Sequence, residues 1–277
     1  MRYTSPRSAD EALGLLAEHG AGAKVLAGGT DLLVALRHRT VEPAVVVDIK
    51  RVDDFDEPVR VTDDAIVVGP TATMGRLAEL EEVRRRHVAL VEAALTVGSV
   101  AIRNRASLVG NSCNASPGAD TAPVLLALGA TVTIAGPAGE RTVGLDDFFL
   151  GPRRTACGPD ELVTALHLPR PRPGSGSAFQ RITRRRGVDL GTVSIAAVLG
   201  PDDDVALGMG AVGPRPLVAR TRLGDHESTA AAVEHLVAAA TPIDDVRAGS
   251  DYRRAMLRVL ARRALDTAAR RRDEEAA

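Results

Sequence analysis

Apolar residues recur at helical spacing through Ala12, Leu13, Leu15 and Leu16, which predicts a short amphipathic helix. Ser8 or Asp10 is suited to cap it, and Gly20 and Gly22 stop it. Residues 24–27 read as a strand, 31–38 as a helix with Leu32, Leu33 and Leu36 inward, and 44–49 as a second, almost wholly apolar strand. This order is a βαβ unit, and strands so apolar pair in parallel with both faces covered. Further on, residues 65–68 read as a strand, 73–79 as a helix capped by Thr73, and 83–95 as a longer helix. Residues 98–120 hold no sustained period and are rich in Asn, Gly, Ser and Thr, so they read as a loop over a polar ligand. Residues 121–128 return to helical spacing, 130–135 alternate as a strand ending in a turn at 136–139, and 161–168 form another strand.

Pro, Gly and Ser crowd residues 169–177, which marks a linker. Strands follow at 177–183, 193–199 and 205–212, with a charged turn at 202–204, then helices at 229–240 and 252–267. The second helix carries Met256, Leu257, Leu260 and Leu265 on one face. Strands followed by helices indicate an α+β domain. The chain is therefore read as α+β overall: residues 1–170 in two α/β parts, about 1–55 and 56–170, and a smaller domain of antiparallel strands and helices at 175–277.

Composition narrows the chemistry. A chain of 277 residues, 45% hydrophobic and 26% charged, can bury an ordinary core. Aromatics at 2%, no Trp and a formal charge of −1 argue against nucleic-acid binding, which draws on basic excess and stacking rings. The arginine runs at 84–86, 184–186 and 270–272, like the arginines at 253, 254, 258, 262 and 263, read as solvated helix faces or loops, the last group also as a surface for an acidic partner. Cys113 and Cys157 are far apart in sequence and outside any CxxC pair, so no disulfide framework or thiolate-held metal is expected. The amino terminus lacks a signal-peptide pattern and no long uncharged apolar run occurs, which points to a cytoplasmic protein without membrane insertion. His226-Glu227 is not followed by the second His of HExxH, His167 lies in an apparent strand, and no GxSxG elbow occurs, so neither a metal site nor a catalytic residue is nominated.

Two glycine turns stand out. Ala27-Gly28-Gly29-Thr30-Asp31 follows the first strand of the βαβ unit and precedes its helix, and Ser107-Leu108-Val109-Gly110-Asn111 lies in the polar stretch. Main-chain N–H groups approach an anion where no Cβ intervenes, and a helix starting at Thr30 or Asp31 would turn its positive end toward that anion. Such turns also serve as plain helix caps, and the spacing does not match GxGxxG. A hydroxyl, a glycine, an amide and the later Asp120 together supply what a diphosphate and ribose hydroxyls require, although Asp120 is equally placed to cap the next helix.

The strings LAGGTDLLVALRHRTVEPAVVVDI, GSVAIRNRASLVGNSCNASPGADTAPVLLALGA and PIDDVRAGSDYRRAMLRVLARRAL resemble the FAD-binding medium subunit of molybdenum hydroxylases, a group that includes carbon monoxide and xanthine dehydrogenases. The resemblance runs from about Pro6 to Leu265. It implies a two-part FAD-binding domain of the vanillyl-alcohol-oxidase/PCMH type, joined to a smaller α+β domain. Val25, Leu26, Ala27, Gly28, Gly29, Thr30, Asp31 and Leu32, with Ser107, Val109, Gly110 and Asn111, would then hold FAD, chiefly its pyrophosphate. Asp120 would meet the sugar side, and Leu168, Gln180 and Arg181 would lie near the flavin. Arg181, two places after Phe179, would steady charge on reduced flavin or merely decorate a strand. The family's TIGGN pattern appears here with Val109 for its first glycine, so this position either keeps an ordinary φ or loosens FAD. Val97 stands where some relatives carry an aromatic beside the ring.

The implied function is electron transfer. A molybdenum-cofactor large subunit oxidises substrate, an iron–sulfur small subunit relays electrons, and FAD on this chain passes them to NAD, a quinone or oxygen. A flavin-poor scaffold that only docks partner chains, and a self-sufficient flavin oxidase, are the alternatives.

Overall fold

The computed structural model describes residues 1–223 and 226–276, and the side chains of residues 226–228, the His226-Glu227 pair among them, and of residue 276 lie outside the described residues. The chain begins with β1 (Arg2–Thr4), α1 (Ala9–His19), β2 (Ala23–Leu26), α2 (Leu32–Arg37) and β3 (Val45–Asp48). Ser8 caps α1 by accepting from the Glu11 amide at 3.1 Å, and Gly20 ends it at φ 49°. β1 and β2 flank β3, both parallel to it, so the βαβ unit is present with one further strand. Every residue of β3 is buried, as a parallel strand covered on both faces requires. Helix α2 departs from expectation: it starts at Leu32, spans only six residues, and leaves Leu33 55% exposed. Fewer than two turns give it one narrow inner line through Leu32 and Leu36, four apart, and Leu33 falls outside that line.

The middle of the chain holds β4 (Val59–Val61), β5 (Ala65–Val68), α3 (Met74–Glu79), α4 (Glu81–Arg86), α5 (Val88–Thr96), α6 (Val100–Arg103), α7 (Leu108–Asn114) and α8 (Thr121–Ala127). Then come β6 (Thr131–Gly136), β7 (Gly139–Gly144), α9 (Leu145–Phe148), β8 (Phe149–Gly151), β9 (Arg154–Thr155) and β10 (Leu162–Pro169). Five of these strands form an antiparallel sheet in the order β4-β5-β10-β6-β7, and β8 pairs with β9. The expected single helix over 83–95 is two, broken at His87 (φ −122°, ψ 50°). The expected loop over 98–120 contains α6 and α7. Serines start both: Ser99 accepts from the Ile102 amide at 3.3 Å and Ser107 from the Gly110 amide at 3.2 Å. Short capped helices bury too few residues to produce a visible period, which is why the stretch reads as irregular.

The chain ends with β11 (Gly176–Ile182), β12 (Val193–Leu199), β13 (Asp204–Gly210), β14 (Leu217–Arg222), α10 (His226–Ala239) and α11 (Ser250–Ala276). The strands form an antiparallel meander in sequence order. α11 lies across β11 and β12 and buries Leu257, Leu260, Ala261, Ala264 and Ala268, while Met256 and Leu265 are only partly covered. Arg253 is not a solvated residue. It is 2% exposed and donates to the Thr192 carbonyl at 2.5 Å, the Ala211 carbonyl at 3.1 Å and Asp245 Oδ1 at 2.7 Å, tying α11 to the sheet and to the preceding loop.

Two predictions follow from buried polar groups in this framework. Arg253→Leu leaves the Thr192 and Ala211 carbonyls without this donor and removes one cation from Asp245, which keeps Arg247, and urea unfolding should register a loss of about 3 kcal/mol. His87 is fully buried with neither ring nitrogen hydrogen-bonded among the described residues, and burial lowers it to about 4. The unfolded chain then takes up a proton near pH 6.5 before the folded one can. Stability attributable to His87 is therefore intact above pH 6.5 and falls progressively toward pH 4, by about 3 kcal/mol in all. His87→Leu should flatten that part of the stability–pH curve.

Candidate functional site

The first glycine turn packs against the chain just before the second. Thr73 and Ser107 form an antiparallel bridge, flanked by hydrogen bonds from the Met74 amide to the Ala106 carbonyl (2.8 Å) and from the Leu108 amide to the Ala72 carbonyl (3.1 Å). Gly28 lies against the other side of this segment, where a Cβ would collide with the Arg105 carbonyl and Ala106 Cα. Gly29 turns the chain at φ 78°. A narrow cleft between the segments is lined by Ala27, Gly28, Lys50, Thr71, Thr73, Asn104 and Arg105.

The amides here are available. The turn and loop hydrogen bonds of the described residues include none donated by Gly28, Gly29, Thr30 or Asp31, while the Gly29 and Asp31 carbonyls accept from Leu33 and Ala35. Four consecutive unspent N–H groups at a glycine turn form a concave donor array suited to an anion. Val25 is half-buried and Leu26 is 8% exposed, so this part of β2 closes the floor of the turn. With only six residues and no side-chain cap on Asp31, α2 adds little dipole, and the array itself must do the binding.

At the second glycine turn, Ser107 spends its hydroxyl capping α7, and Gly110 gives that oxygen room. Val109 is 3% exposed, sits inside α7 with negative φ and turns its side chain into the core. The Asn111 side-chain carbonyl accepts from the Thr121 hydroxyl at 2.7 Å, which locks α7 to α8. Leu168 is fully buried in β10 opposite Ile66 and offers no side-chain surface. His167, its neighbour, is half-buried and bonded to the Thr133 hydroxyl at 2.8 Å.

Asp120 and Arg181 are brought together. Arg181 Nη1 donates to Asp120 Oδ2 at 2.6 Å and to the Asp189 carbonyl at 3.3 Å, and the Thr96 hydroxyl donates to the same carboxylate oxygen at 3.1 Å. Burial pushes the Asp120 carboxyl up, and the guanidinium beside it opposes that rise. Asp120 stands at the start of α8 without capping it through its side chain. Its buried Oδ1 makes no hydrogen bond that meets full distance and angle requirements among the described residues, while the neighbouring Ser194 side chain helps hold the carboxyl down. Such an orphaned acceptor fits a ligand hydroxyl.

Sequence reasoning missed Lys50 and Arg105, because neither belongs to a glycine motif. Lys50 follows β3, where Asp48 Oδ1 holds its Nζ at 2.6 Å and Oδ2 accepts from the Tyr3 hydroxyl at 2.6 Å. Burial pushes the Asp48 carboxyl up, but these bonds outweigh it and hold the group below the usual range. A larger open hollow of about 470 Å³ is lined by Asp56, Glu57, Pro58, Val59, Arg76 and Leu80. Its two carboxylates make it unsuited to a diphosphate. Nucleophile chemistry finds no support at Cys157, whose thiol burial pushes up to about 11. The arginine runs are largely paired at the surface, Arg86 with Glu82, Arg184 with Asp189 and Arg272 with Asp203.

Comparison with known proteins agrees in extent with this architecture. A family described as "FAD binding domain in molybdopterin dehydrogenase" matches residues 1–171, and one described as "CO dehydrogenase flavoprotein C-terminal domain" matches residues 177–268. The carbon monoxide dehydrogenase medium chain of Hydrogenophaga pseudoflava is 30% identical over 277 residues, covering 96% of each chain. Caffeine dehydrogenase subunit beta of Pseudomonas sp. (strain CBB1) is 35% identical over 203 residues, 73% of this chain and 68% of the relative. A solved carbon monoxide dehydrogenase structure from Hydrogenophaga pseudoflava superposes with a TM-score of 0.92 at 30% identity, covering 98% of both chains.

Gly28→Ala should drive its new Cβ into the Arg105–Ala106 main chain. The expected cost is about 2 kcal/mol in thermal or urea unfolding, whereas Gly14→Ala, inside α1 with open space around it, should stabilise by about 0.5–1 kcal/mol.

Proposed function

Because this chain belongs to the FAD-binding subunits of the molybdenum hydroxylase family, and is thus the flavoprotein component of an oxidoreductase, we propose that it takes electrons from an iron–sulfur small subunit and passes them through FAD to an external acceptor. A molybdenum-cofactor large subunit oxidises the substrate of the complex. A nicotinamide nucleotide, a quinone or oxygen is a suitable acceptor, since bound flavin converts between one- and two-electron transfers. The observation that carries this reading is a cleft where Ala27 and Gly28, at the head of a run of unspent amides, face Asn104 and Arg105, just before the second glycine turn.

In this assignment residues 27–31 and the main chain at 107–110 hold the diphosphate. Val25, Leu26 and Leu32 shape the turn, Asn111 and Leu168 brace its walls, and the orphaned Asp120 Oδ1 accepts from a sugar or ribityl hydroxyl. Arg181, held by Asp120, presents its remaining N–H groups on the flavin side, so its charge there is partly offset. No residue of the chain serves as acid or base. The FAD-binding unit comprises residues 1–170 and the second unit residues 175–277, in a cytoplasmic heteromeric complex. Among the described residues no helix is long and apolar enough to cross a membrane.

The scaffold alternative keeps only the scarcity of aromatics as its motive, because Val109 lies inside α7 and needs no positive φ. Purified full-length chain should bind about one reducible FAD per polypeptide, read from flavin absorbance before and after dithionite. A chain that stays colourless after incubation with FAD sinks the assignment. Native mass spectrometry of the complex from its source should reveal molybdenum- and iron–sulfur-bearing partners.

A further inference from the structure

We propose that Lys50 and Arg105, rather than the glycine turns alone, neutralise the diphosphate of the dinucleotide, with Asp48 as the residue that positions Lys50. This inference rests on the FAD reading above and names the charged groups of that site.

The lining of the cleft is one-sided in charge. Lys50 and Arg105 contribute two cations, Thr71 and Thr73 two hydroxyls and Asn104 an amide, and no carboxylate lines it. Asp48, the acid nearest by contact, is 5% exposed and fully engaged, by the Tyr3 hydroxyl on one oxygen and by the Lys50 amide (3.1 Å) and Nζ (2.6 Å) on the other. An ammonium has three donors, so one bond to Asp48 fixes the direction of Nζ and leaves two for a ligand. Arg105 is exposed, and no ion pair forms at its guanidinium among the described residues, although its main chain is clamped against Gly28 and bonded to Ile102. A fixed backbone carrying an unpaired guanidinium at the mouth of an amide-lined cleft is arranged to bind phosphate oxygens bidentately.

Main-chain amides supply only partial charge, whereas a diphosphate brings two full negative charges into a half-buried cleft. Two side-chain cations match that charge, one from each wall: Lys50 from the end of β3 and Arg105 from the turn between α6 and α7. A purely structural role for the two residues predicts a different outcome, since Lys50 would then matter only through Asp48, and Arg105 not at all.

The test is titration of flavin-depleted full-length chain with FAD, read by flavin fluorescence at several salt concentrations. Lys50→Met and Arg105→Met should each weaken FAD binding about tenfold or more and flatten its dependence on salt, while Lys50→Arg and the exposed control Arg85→Met stay within about twofold of wild type. Wild-type uptake of FAD with both Met variants within about twofold overturns the assignment and leaves the proposed function standing. Weakened binding with an unchanged salt dependence also overturns it, because that result reports a disturbed fold. A wild-type chain that takes up no FAD overturns both.

Discussion

Gly28 rests directly on the main chain of Arg105 and Ala106, and most of what this protein can do depends on that approach. Any side chain at Gly28 would separate the parallel unit, which ends at Phe55, from the antiparallel one. The contact works from both sides. On one, Gly29 at positive φ swings the chain into α2 and leaves a row of free amides. On the other, the Thr73–Ser107 bridge fixes the depth at which α7 begins. In the FAD reading proposed above, neither turn would form a cradle alone, because a single row of N–H groups would leave the far side of a diphosphate in water.

A second constraint joins the carboxyl-terminal unit to this arrangement. Glu92 on α5 accepts from the Phe179 amide at 2.9 Å and from Arg271 at 2.5 Å, so one carboxylate links α5, β11 and α11. Ser177 accepts from the Ala89 amide at 3.3 Å, and Phe179 and Ala196 belong to the same apolar core as α5 and α8. The Asp120–Arg181 pair lies in this junction. Burial of a carboxylate is unfavourable unless its partner comes with it, so Asp120 and Arg181 stabilise the contact only as a pair. Arg181 therefore reports on the relative placement of the two units as much as on any ligand.

The fold was legible where a period could develop. Strands at residues 65–68 and 193–199 and the helix capped by Thr73 were readable because alternation and a cap fall inside a window of ordinary length. Strands β4, β7 and β14 were not, since β7 is largely exposed and β14 nowhere fully buried, so neither carries an apolar face. The break at His87 escaped notice because histidine is an unremarkable helix residue, and only its burial without a partner marks the site. Arg253 misled for the opposite reason. Its position among other arginines suggested solvent, whereas carbonyl acceptors from two strands' ends draw it inside. The glycine turns themselves were visible, but Lys50 and Arg105 were not, because the pairing that brings them to one cleft joins segments more than fifty residues apart.

Val109 illustrates how a missing motif residue is to be weighed. A β-branched side chain in place of glycine would be serious if that position needed positive φ or faced the ligand. Here α7 starts two residues earlier, at the Ser107 cap, and by position 109 the backbone is already helical. Its side chain joins Leu108 and Leu166 in the core. Gly110 is the residue whose lack of Cβ matters, because the Ser107 hydroxyl occupies that space. Position 109 accommodates valine because its backbone is helical and its side chain adds apolar burial.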